Sequence, residues 1–248
     1  MNYLELRPRQ IKDAVERNIP VVMAAGSVEY HGPHMPVGSD LLIAETVLKH
    51  AEEKCVCIVM PSLPFSPTMF WAAGPEDGEF DFDPEALRLY ALGILRGLLK
   101  IGFRRIYILQ HHQGDNGLPA LTLKRAAAEV IREFAKEWGY GWGRKNPEEQ
   151  PEPGIFGMIH VAYIDSYSHY PSTDSERCPI GHGGKGETQL IMADNPECID
   201  MDELDQYKKE FGTLPRWLKD AHLARKDEGE RWIQFCSDGW AEELSRVT

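Results

Sequence analysis

Carboxylate and imidazole side chains stand close together between Ala24 and Asp40, and their types suit a bound metal ion. Glu29 and His31 are two residues apart, and alternate side chains of an extended chain point to the same side, so both can face one ion. Nitrogen and carboxylate ligands together favour zinc, manganese or iron over calcium. Each residue alone has an ordinary explanation, but the grouping within twelve residues predicts a metal site at Glu29, His31 and Asp40.

Asp40 has a second possible role, because it stands directly before the helical pattern of residues 41–48. Aspartate is a favoured N-cap residue. Asp40 can therefore cap the helix, bind the metal ion, or do both with different oxygens. The apolar run of residues 19–25 predicts a buried strand that ends where these polar residues begin.

Two further polar clusters follow later in the chain. His111 and His112 come directly after another predicted strand, residues 104–110. Because ligands of open parallel sheets lie beyond the carboxyl ends of the strands, we expect this cluster to meet the first one. His182 and Glu187 stand at the start of a predicted helix, where glycines let the backbone approach a ligand and a glutamate is favoured even without a metal ion.

The remaining pattern alternates strands with helices, which predicts parallel crossover units and an α/β fold. The long loop of residues 61–83 either walls a substrate pocket or packs Phe70 and Trp71 onto the core, and both alternatives stay open. His160 is expected to be a core or strand-edge histidine. Two more strands are predicted at 55–60 and 155–164, and helices at 8–18, 40–54, 83–100 and 118–138, with short amphipathic helices after residue 196.

Composition excludes several classes of function. The formal net charge of -12 disfavours nucleic acid and anionic membranes as partners, since both need a basic surface. Five cysteines without a C-x-x-C motif argue against a disulfide scaffold. The cysteine usage favours a reducing cytoplasm, and because no signal peptide and no apolar run of about 18 residues is evident, we expect neither export nor a membrane span.

Residues 26–40 resemble the creatininase (creatinine amidohydrolase) family, whose pattern runs approximately G-S-x-E-Q-H-G-P-H-L-P-x-G-T-D. In that family the glutamate and the histidine bind one metal ion each, and the aspartate bridges two ions. The resemblance places these roles on Glu29, His31 and Asp40. The departures from the pattern are mild: Tyr30, Met35 and Ser39.

The second cluster resembles the family pattern N-G-H-G-G-N, which in true creatininases has a glutamate two residues after the histidine. Aligning that histidine with His112 makes His112 the predicted metal ligand, with His111 as the alternative, and puts Gly114 at the glutamate position. Asp115 or Glu187 can replace the missing carboxylate, or the site can hold a single ion.

The third cluster resembles the family signature H-x-G-x-x-E-T-S, with His182 and Glu187 at the expected separation and Gln189 in place of the serine. The resemblance makes His182 and Glu187 catalytic candidates, with His182 protonating the leaving group or steadying the oxyanion. Creatininases carry Trp and Asp shortly before this histidine, where Cys178, Pro179 and Ile180 stand here, so the substrate is left open.

The resemblance implies a three-layer α/β/α sandwich with a mainly parallel sheet, forming a single domain over residues 1–248. It also implies one or two divalent metal ions, zinc first and manganese or iron as alternatives, and a homo-oligomer, often a hexamer. The expected function is a metal-dependent amidohydrolase that uses a metal-activated water to attack a carbonyl of a small-molecule substrate, a small cyclic or linear amide. The alternatives are a hydrolase of a cyclic ketone or lactone from carbohydrate or inositol catabolism, and a non-catalytic metal- or sugar-binding protein.

Overall fold

A parallel β-sheet lies at the centre of the protein. In the computed structural model, which describes residues 1–171, 177–178 and 181–246, four strands form this sheet in the order β2-β1-β3-β4. All neighbouring strands are parallel. The strands are β1 (Val21–Ala25), β2 (Ile58–Val59), β3 (Ile106–Gln110) and β4 (Ile159–Tyr163).

The two central strands, β1 and β3, are buried along their whole length. Strands of a parallel sheet that are covered on both faces read as continuous apolar runs, which is the pattern of both segments. Their register pairs Ala25 with Gln110. Because both strands end at the same level, the segments that follow them leave the sheet side by side, and the backbone N–H of His111 donates to the carbonyl of Ala25 at 3.0 Å.

Helices cover both faces of the sheet, which confirms the predicted α/β class. Helices α2, α5 and α7 share one apolar core with the sheet, and α1, α3 and α4 share the other. None of the helices in the described ranges is both long and apolar enough to span a membrane. The helices are α1 (Pro8–Glu16), α2 (Ser39–Glu52), α3 (Pro84–Ile101), α4 (Leu118–Lys136), α5 (Lys185–Asp194), α6 (Met201–Phe211) and α7 (Lys226–Ser245).

Several predicted boundaries are wrong. The strand predicted at 55–60 is only Ile58–Val59, and the one predicted at 155–164 is Ile159–Tyr163, preceded by a 3-10 turn at Ile155–Gly157. An apolar run shows that a segment is buried but does not show how many of its residues pair with a neighbour. The last helix, α7, has 20 residues and is longer than the predicted short helices.

A close approach between α5 and α7 fixes the position of the helix that carries Glu187. Gly229 of α7 faces the backbone of α5, where an added Cβ would lie only 1.8 Å from the carbonyl oxygen of Gln189. The two helices can pack this closely only because residue 229 has no side chain.

Gly229→Ala is therefore expected to lower the free energy of unfolding by roughly 3 kcal/mol, the cost of overpacking against a backbone that cannot move aside. The matched control is Gly93→Ala in α3, where an added Cβ meets nothing within 4 Å. Alanine at an exposed helix position should stabilise the protein by up to about 1 kcal/mol. Urea denaturation measures both changes, and equal effects would contradict the packing account.

Candidate metal centre

The loop after β1 carries Glu29 and His31, and both side chains are buried. Its backbone is held by the N–H of Glu29, which donates to the carbonyl of Val37 at 2.8 Å. Gly32 has a φ of 100°, a left-handed conformation that favours glycine. The loop therefore turns directly after His31, and both side chains stay buried in the interior of the protein.

Asp40 lies in the first turn of α2, and its side chain points into the interior. The helix begins at Ser39, with Gly38 as its N-cap and no side-chain cap hydrogen bond. The predicted capping role of Asp40 is therefore wrong, because the helix starts one residue earlier than the sequence pattern indicates. The hydroxyl of Ser27 donates to Oδ2 of Asp40.

Two histidines follow β3, and both approach these carboxylates. The Nδ1 atom of His112 lies 2.9 Å from Oδ2 of Asp40 and 3.2 Å from Oε2 of Glu29. The Nε2 atom of His111 lies 3.0 Å from Oε1 of Glu187 and 3.8 Å from Oδ1 of Asp40. The polar residues at the ends of the two central strands thus meet, as the sequence predicts.

The third predicted cluster joins the same site from the start of α5. Glu187 is buried, and its Oε2 atom lies 3.5 Å from Nε2 of His31 and accepts from the backbone N–H of Gly183 at 2.8 Å. The Nδ1 atom of His182 lies 3.8 Å from Oε2 of Glu29. Asp115, the other candidate for the missing carboxylate, is exposed and lies 3.7 Å from the ammonium group of Lys124.

Backbone carbonyls fix the orientation of three histidine rings. Nδ1 of His31 lies 3.0 Å from the carbonyl oxygen of Glu29, and Nε2 of His112 lies 3.0 Å from that of Pro67. Nε2 of His182 lies 2.9 Å from the carbonyl oxygen of Tyr30. A ring nitrogen facing a carbonyl must donate, so the other nitrogen of each neutral ring presents a lone pair to the carboxylates.

These lone pairs and carboxylate oxygens form overlapping groups that fit a metal ion. Within each group one potential ligand atom per residue lies within 4.8 Å of the others. Among the described residues, none forms a hydrogen bond with the buried Nε2 atom of His31, as expected of an atom that binds a cation. The groups are Glu29, Asp40 and His112; His31, Asp40 and Glu187; and Glu29, His31 and His182.

Opposite charges across the cluster shift its pKa values. Burial opposes the charged form of His31, but the carboxylates of Asp40 and Glu187 outweigh it and raise the pKa of His31 to about 10. Burial is likewise outweighed at His112, where Asp40 and Glu29 raise the pKa to about 11. In return, His31 and His112 overcome the effect of burial and hold the pKa of Asp40 well below its ordinary value. Without a bound metal ion, protons held on these two histidines therefore balance the charge of Asp40.

A cavity of about 640 Å³ opens onto the cluster, and Glu29, Asp40, His112, His182 and Glu187 contribute to its wall. Met69 and Trp71 of the long loop also line it. The alternative in which Phe70 and Trp71 pack onto the core is wrong, since both are exposed. Trp217 was not predicted here, yet its ring centroid lies 4.8 Å from that of His182.

Comparison with known proteins shows the family of the chain. The family model for creatininase, described as creatinine amidohydrolase, matches residues 4–244. The chain belongs to the creatininase family. A creatinine amidohydrolase of Pseudomonas putida is 22% identical over 249 residues, covering 90% of this chain and 88% of that protein. A 3-dehydro-scyllo-inosose hydrolase of Thermotoga maritima is 23% identical over 189 residues, covering 76% of this chain and 51% of that protein.

Solved creatininase structures share the fold. One crystal structure of a creatinine amidohydrolase (creatininase) has a TM-score of 0.75 at 19% identity and covers 100% of this chain and 98% of its own. A creatininase structure titled with Mn has a TM-score of 0.74 at 20% identity, covering 98% and 96% of the two chains. At these identities the likeness shows the three-layer creatininase fold, which confirms the predicted architecture.

Two predicted features lie apart from the cluster. His160 lies in the edge strand β4, where its ring stacks on that of Tyr107 at 4.6 Å between centroids, so it is a strand-edge histidine as predicted. Pro179 and Ile180, which stand where creatininases carry Trp and Asp, lie outside the described residues. The neighbouring Cys178 is buried.

The pKa shifts predict that the metal-free protein loses stability as the pH rises. Histidines of the unfolded chain titrate near pH 6.5, whereas folded His31 and His112 keep their protons until about pH 10 and 11. Between these limits the folded state binds more protons, so stability should fall by roughly 1.4 kcal/mol per pH unit for each proton held. Urea denaturation of chelator-treated protein at about pH 7 and about pH 9.5 measures the loss.

Two variants distinguish the contribution of the cluster to this loss of stability from that of histidines elsewhere in the chain. His112→Gln removes one titrating ring and should reduce the loss of stability between the two pH values. His160→Gln removes a histidine outside the cluster and should leave the loss unchanged. The same loss in all three proteins would contradict this account of the charge balance.

Proposed function

We propose that this protein is a metal-dependent amidohydrolase, which adds water to the carbonyl group of a small cyclic or linear amide and breaks a non-peptide C–N bond. One observation carries the proposal: buried carboxylates and histidine nitrogens converge within about 4 Å at the base of an open cavity. Membership of the creatininase family supports hydrolysis as the reaction class.

Two divalent ions fit the arrangement better than one. Glu29, Asp40 and His112 would hold the first ion, and His31, Asp40 and Glu187 the second. Asp40 presents its two oxygens to different sides, Oδ2 towards His112 and Oδ1 towards His31. Zinc or manganese suits this mixture of nitrogen and carboxylate ligands, and solved creatininase structures include Mn and Zn-Zn forms.

Glu187 is the carboxylate that replaces the glutamate missing at Gly114. It is buried and close to both His31 and His111. Asp115 is unsuited to this role because it is exposed and lies 3.7 Å from the ammonium group of Lys124. We therefore assign Glu187 to the metal site, while the sequence alone leaves it between coordination and catalysis.

Divalent ions at such a site lower the pKa of a bound water from about 15.7 to about 7 and polarise a carbonyl oxygen. His182 supplies the proton transfer. Its Nε2–H is held by the carbonyl of Tyr30, so its Nδ1 lone pair faces the cluster. Burial and the neighbouring His31 lower the pKa of His182, which keeps the ring neutral and able to accept a proton from the attacking water. The same nitrogen can then protonate the leaving amine.

A second candidate substrate is a cyclic ketone or lactone, attacked at the same carbonyl position. The similarity to a 3-dehydro-scyllo-inosose hydrolase favours it, although the chain spans only about half of that relative. The departure from creatininases at residues 178–180 also favours a substrate other than creatinine. Both candidates use the same cluster and differ only in the bond that breaks.

We further propose a cellular location and an oligomeric state for the enzyme. We place it in the cytoplasm as a homo-oligomer with one catalytic domain over residues 1–248. All five cysteines are free thiols, which suits a reducing compartment.

The first test combines elemental analysis of bound metal with an assay of hydrolytic activity. The purified protein is expected to bind two divalent ions per chain and to hydrolyse at least one member of a panel of lactams, cyclic imides, lactones and ring ketones. Chelation should abolish turnover, and added zinc or manganese should restore it. His112→Gln should lose metal and activity together, because it removes a nitrogen that lies between Asp40 and Glu29.

His160→Gln is the matched control, since it replaces a histidine of the neighbouring strand that lies outside the cluster, and it should keep both metal and activity. A protein that binds no zinc, manganese or iron would refute the proposal. Metal binding without turnover of any panel member would instead support a non-catalytic binding protein.

The second test concerns His182. If His182 transfers protons, His182→Gln should lower kcat by about 10²-fold or more and leave the metal content unchanged. The measurements are steady-state kinetics on the active panel member and elemental analysis of the same sample. Loss of metal in this variant would show that His182 is a ligand, as the third group of potential ligands allows.

A further inference from the structure

A strained turn forms part of the wall of the cavity. Met69 and Phe70 have φ values of 62° and 46°, and neither is glycine. Left-handed residues of this kind are unfavourable, and such strain persists only where the surrounding structure fixes it. Strain of this type is concentrated at functional sites.

Asp81 holds the turn in this conformation. Its Oδ1 atom accepts hydrogen bonds from the backbone N–H groups of Thr68 at 3.0 Å and Met69 at 2.8 Å. The hydroxyl of Thr68 accepts a third hydrogen bond from the N–H of Phe70 at 3.3 Å. Every backbone donor from residue 68 to residue 70 is thus satisfied by a side chain on this loop.

The residues on either side of the turn contact the candidate metal centre. The residue before it, Pro67, offers the carbonyl that orients the ring of His112 at 3.0 Å. The residue after it, Trp71, stands perpendicular to the ring of His182, with 4.9 Å between the centroids. One short segment therefore connects a proposed metal ligand to an aromatic side chain at the cavity wall.

The turn presents large apolar groups to solvent. Met69 is 56% exposed and Trp71 is 61% exposed, and both line the cavity. Trp217 extends this apolar surface, with its ring centroid 6.2 Å from that of Trp71. Exposed aromatic surface next to a polar cluster is characteristic of a ligand site, where the aromatic group contacts the ligand and the polar groups orient it.

The charge of the cavity wall restricts which ligands can bind there. Among the described residues that line the cavity there is no lysine and no arginine. A carboxylate or phosphate held against Trp71 would therefore lose its hydration without gaining a cationic partner. A flat, uncharged ring can instead stack on the indole, and such aromatic contacts are favourable.

We propose that Trp71 determines specificity by stacking on an uncharged ring at the end of the substrate away from the reacting carbonyl, and that Asp81 is the positioning residue that places Trp71 there. This inference rests on the proposed function, since the metal centre binds the other end of the substrate. It predicts that substrates with an anionic group at the ring end are rejected.

The test uses two hydroxamates with the same metal-binding group and different tails. Acetohydroxamate has a methyl tail and benzohydroxamate has a flat, uncharged ring. Calorimetric titration of the zinc-loaded full chain should show benzohydroxamate binding about tenfold more tightly, which corresponds to about 1.4 kcal/mol. A carboxylate on the ring, as in 4-carboxybenzohydroxamate, should remove this advantage.

Trp71→Ala should abolish the preference for benzohydroxamate and leave the affinity for acetohydroxamate unchanged. Trp71→Phe should retain most of the preference, because it keeps a ring that can stack. Asp81→Ala should lose the preference with unchanged zinc content, and Asp81→Asn should restore part of it, because its amide oxygen still accepts hydrogen bonds. Phe80→Ala, at an exposed aromatic residue of the same loop that is not among the cavity-lining residues, should behave like the natural protein.

Three outcomes would overturn this inference. In the first, Trp71→Ala weakens both hydroxamates equally or neither of them. In the second, Trp71→Ala changes the molecular mass measured by light scattering and leaves the hydroxamate preference intact, which would assign the apolar surface to contact with a second copy. In the third, the protein binds neither zinc nor hydroxamate, which refutes the proposed function as well.

Discussion

The structure depends on how three buried carboxylates, those of Glu29, Asp40 and Glu187, are balanced by positive charge. Each lies within 4 Å of a histidine nitrogen, and all three are almost fully removed from solvent. Buried carboxylates that lack a cationic partner are strongly destabilising. The fold therefore needs either protonated histidines or bound cations at this point, and the raised pKa values of His31 and His112 are one expression of that need.

The sheet and its helices explain why the charges meet. Strands β1 and β3 end at the same level of the sheet, so the polar loops that follow them lie side by side. Helix α2 begins next to the loop that follows β1. At Gly26 an added Cβ would lie 2.4 Å from the backbone nitrogen of Leu41, so glycine permits the close approach that brings Asp40 inward. On the other side, the contact at Gly229 sets α7 against α5 and so fixes the start of the helix that carries Glu187. The glycines at these two contacts thus determine the position of the charged cluster. Its residues come from four segments, namely the loops after β1 and β3 and the first turns of α2 and α5.

Much of this arrangement could be predicted from the sequence, because it depends on local patterns. The spacing of Glu29 and His31, and the position of His112 after an apolar run, are enough to expect convergence at strand ends. The fold class follows from the alternation of apolar runs with helical periodicity. The choice between Asp115 and Glu187 could not be made, because both lie near a helix start and only the tertiary structure shows which one is buried.

Other features depend on tertiary contacts that the sequence pattern leaves undecided. The sequence leaves Asp40 as a candidate N-cap, and only the start of the helix at Ser39 shows that its oxygens do not cap the helix. Trp71 and Trp217 are far apart in the sequence, and their contacts with His182 arise from the packing of two irregular segments. The left-handed turn at Met69 and Phe70 could not be predicted either, because non-glycine residues rarely adopt that conformation.

In the proposed metal centre, the carboxylates of this cluster share two cations through Asp40. A crystal structure with anomalous scattering recorded at the zinc and manganese absorption edges tests it most directly. Two anomalous peaks are expected roughly 3.5–4 Å apart, each about 2 Å from a different oxygen of Asp40, with His112 beside one and His31 beside the other. No peak between these side chains in crystals grown with either metal, while the carboxylates remain buried, would contradict it.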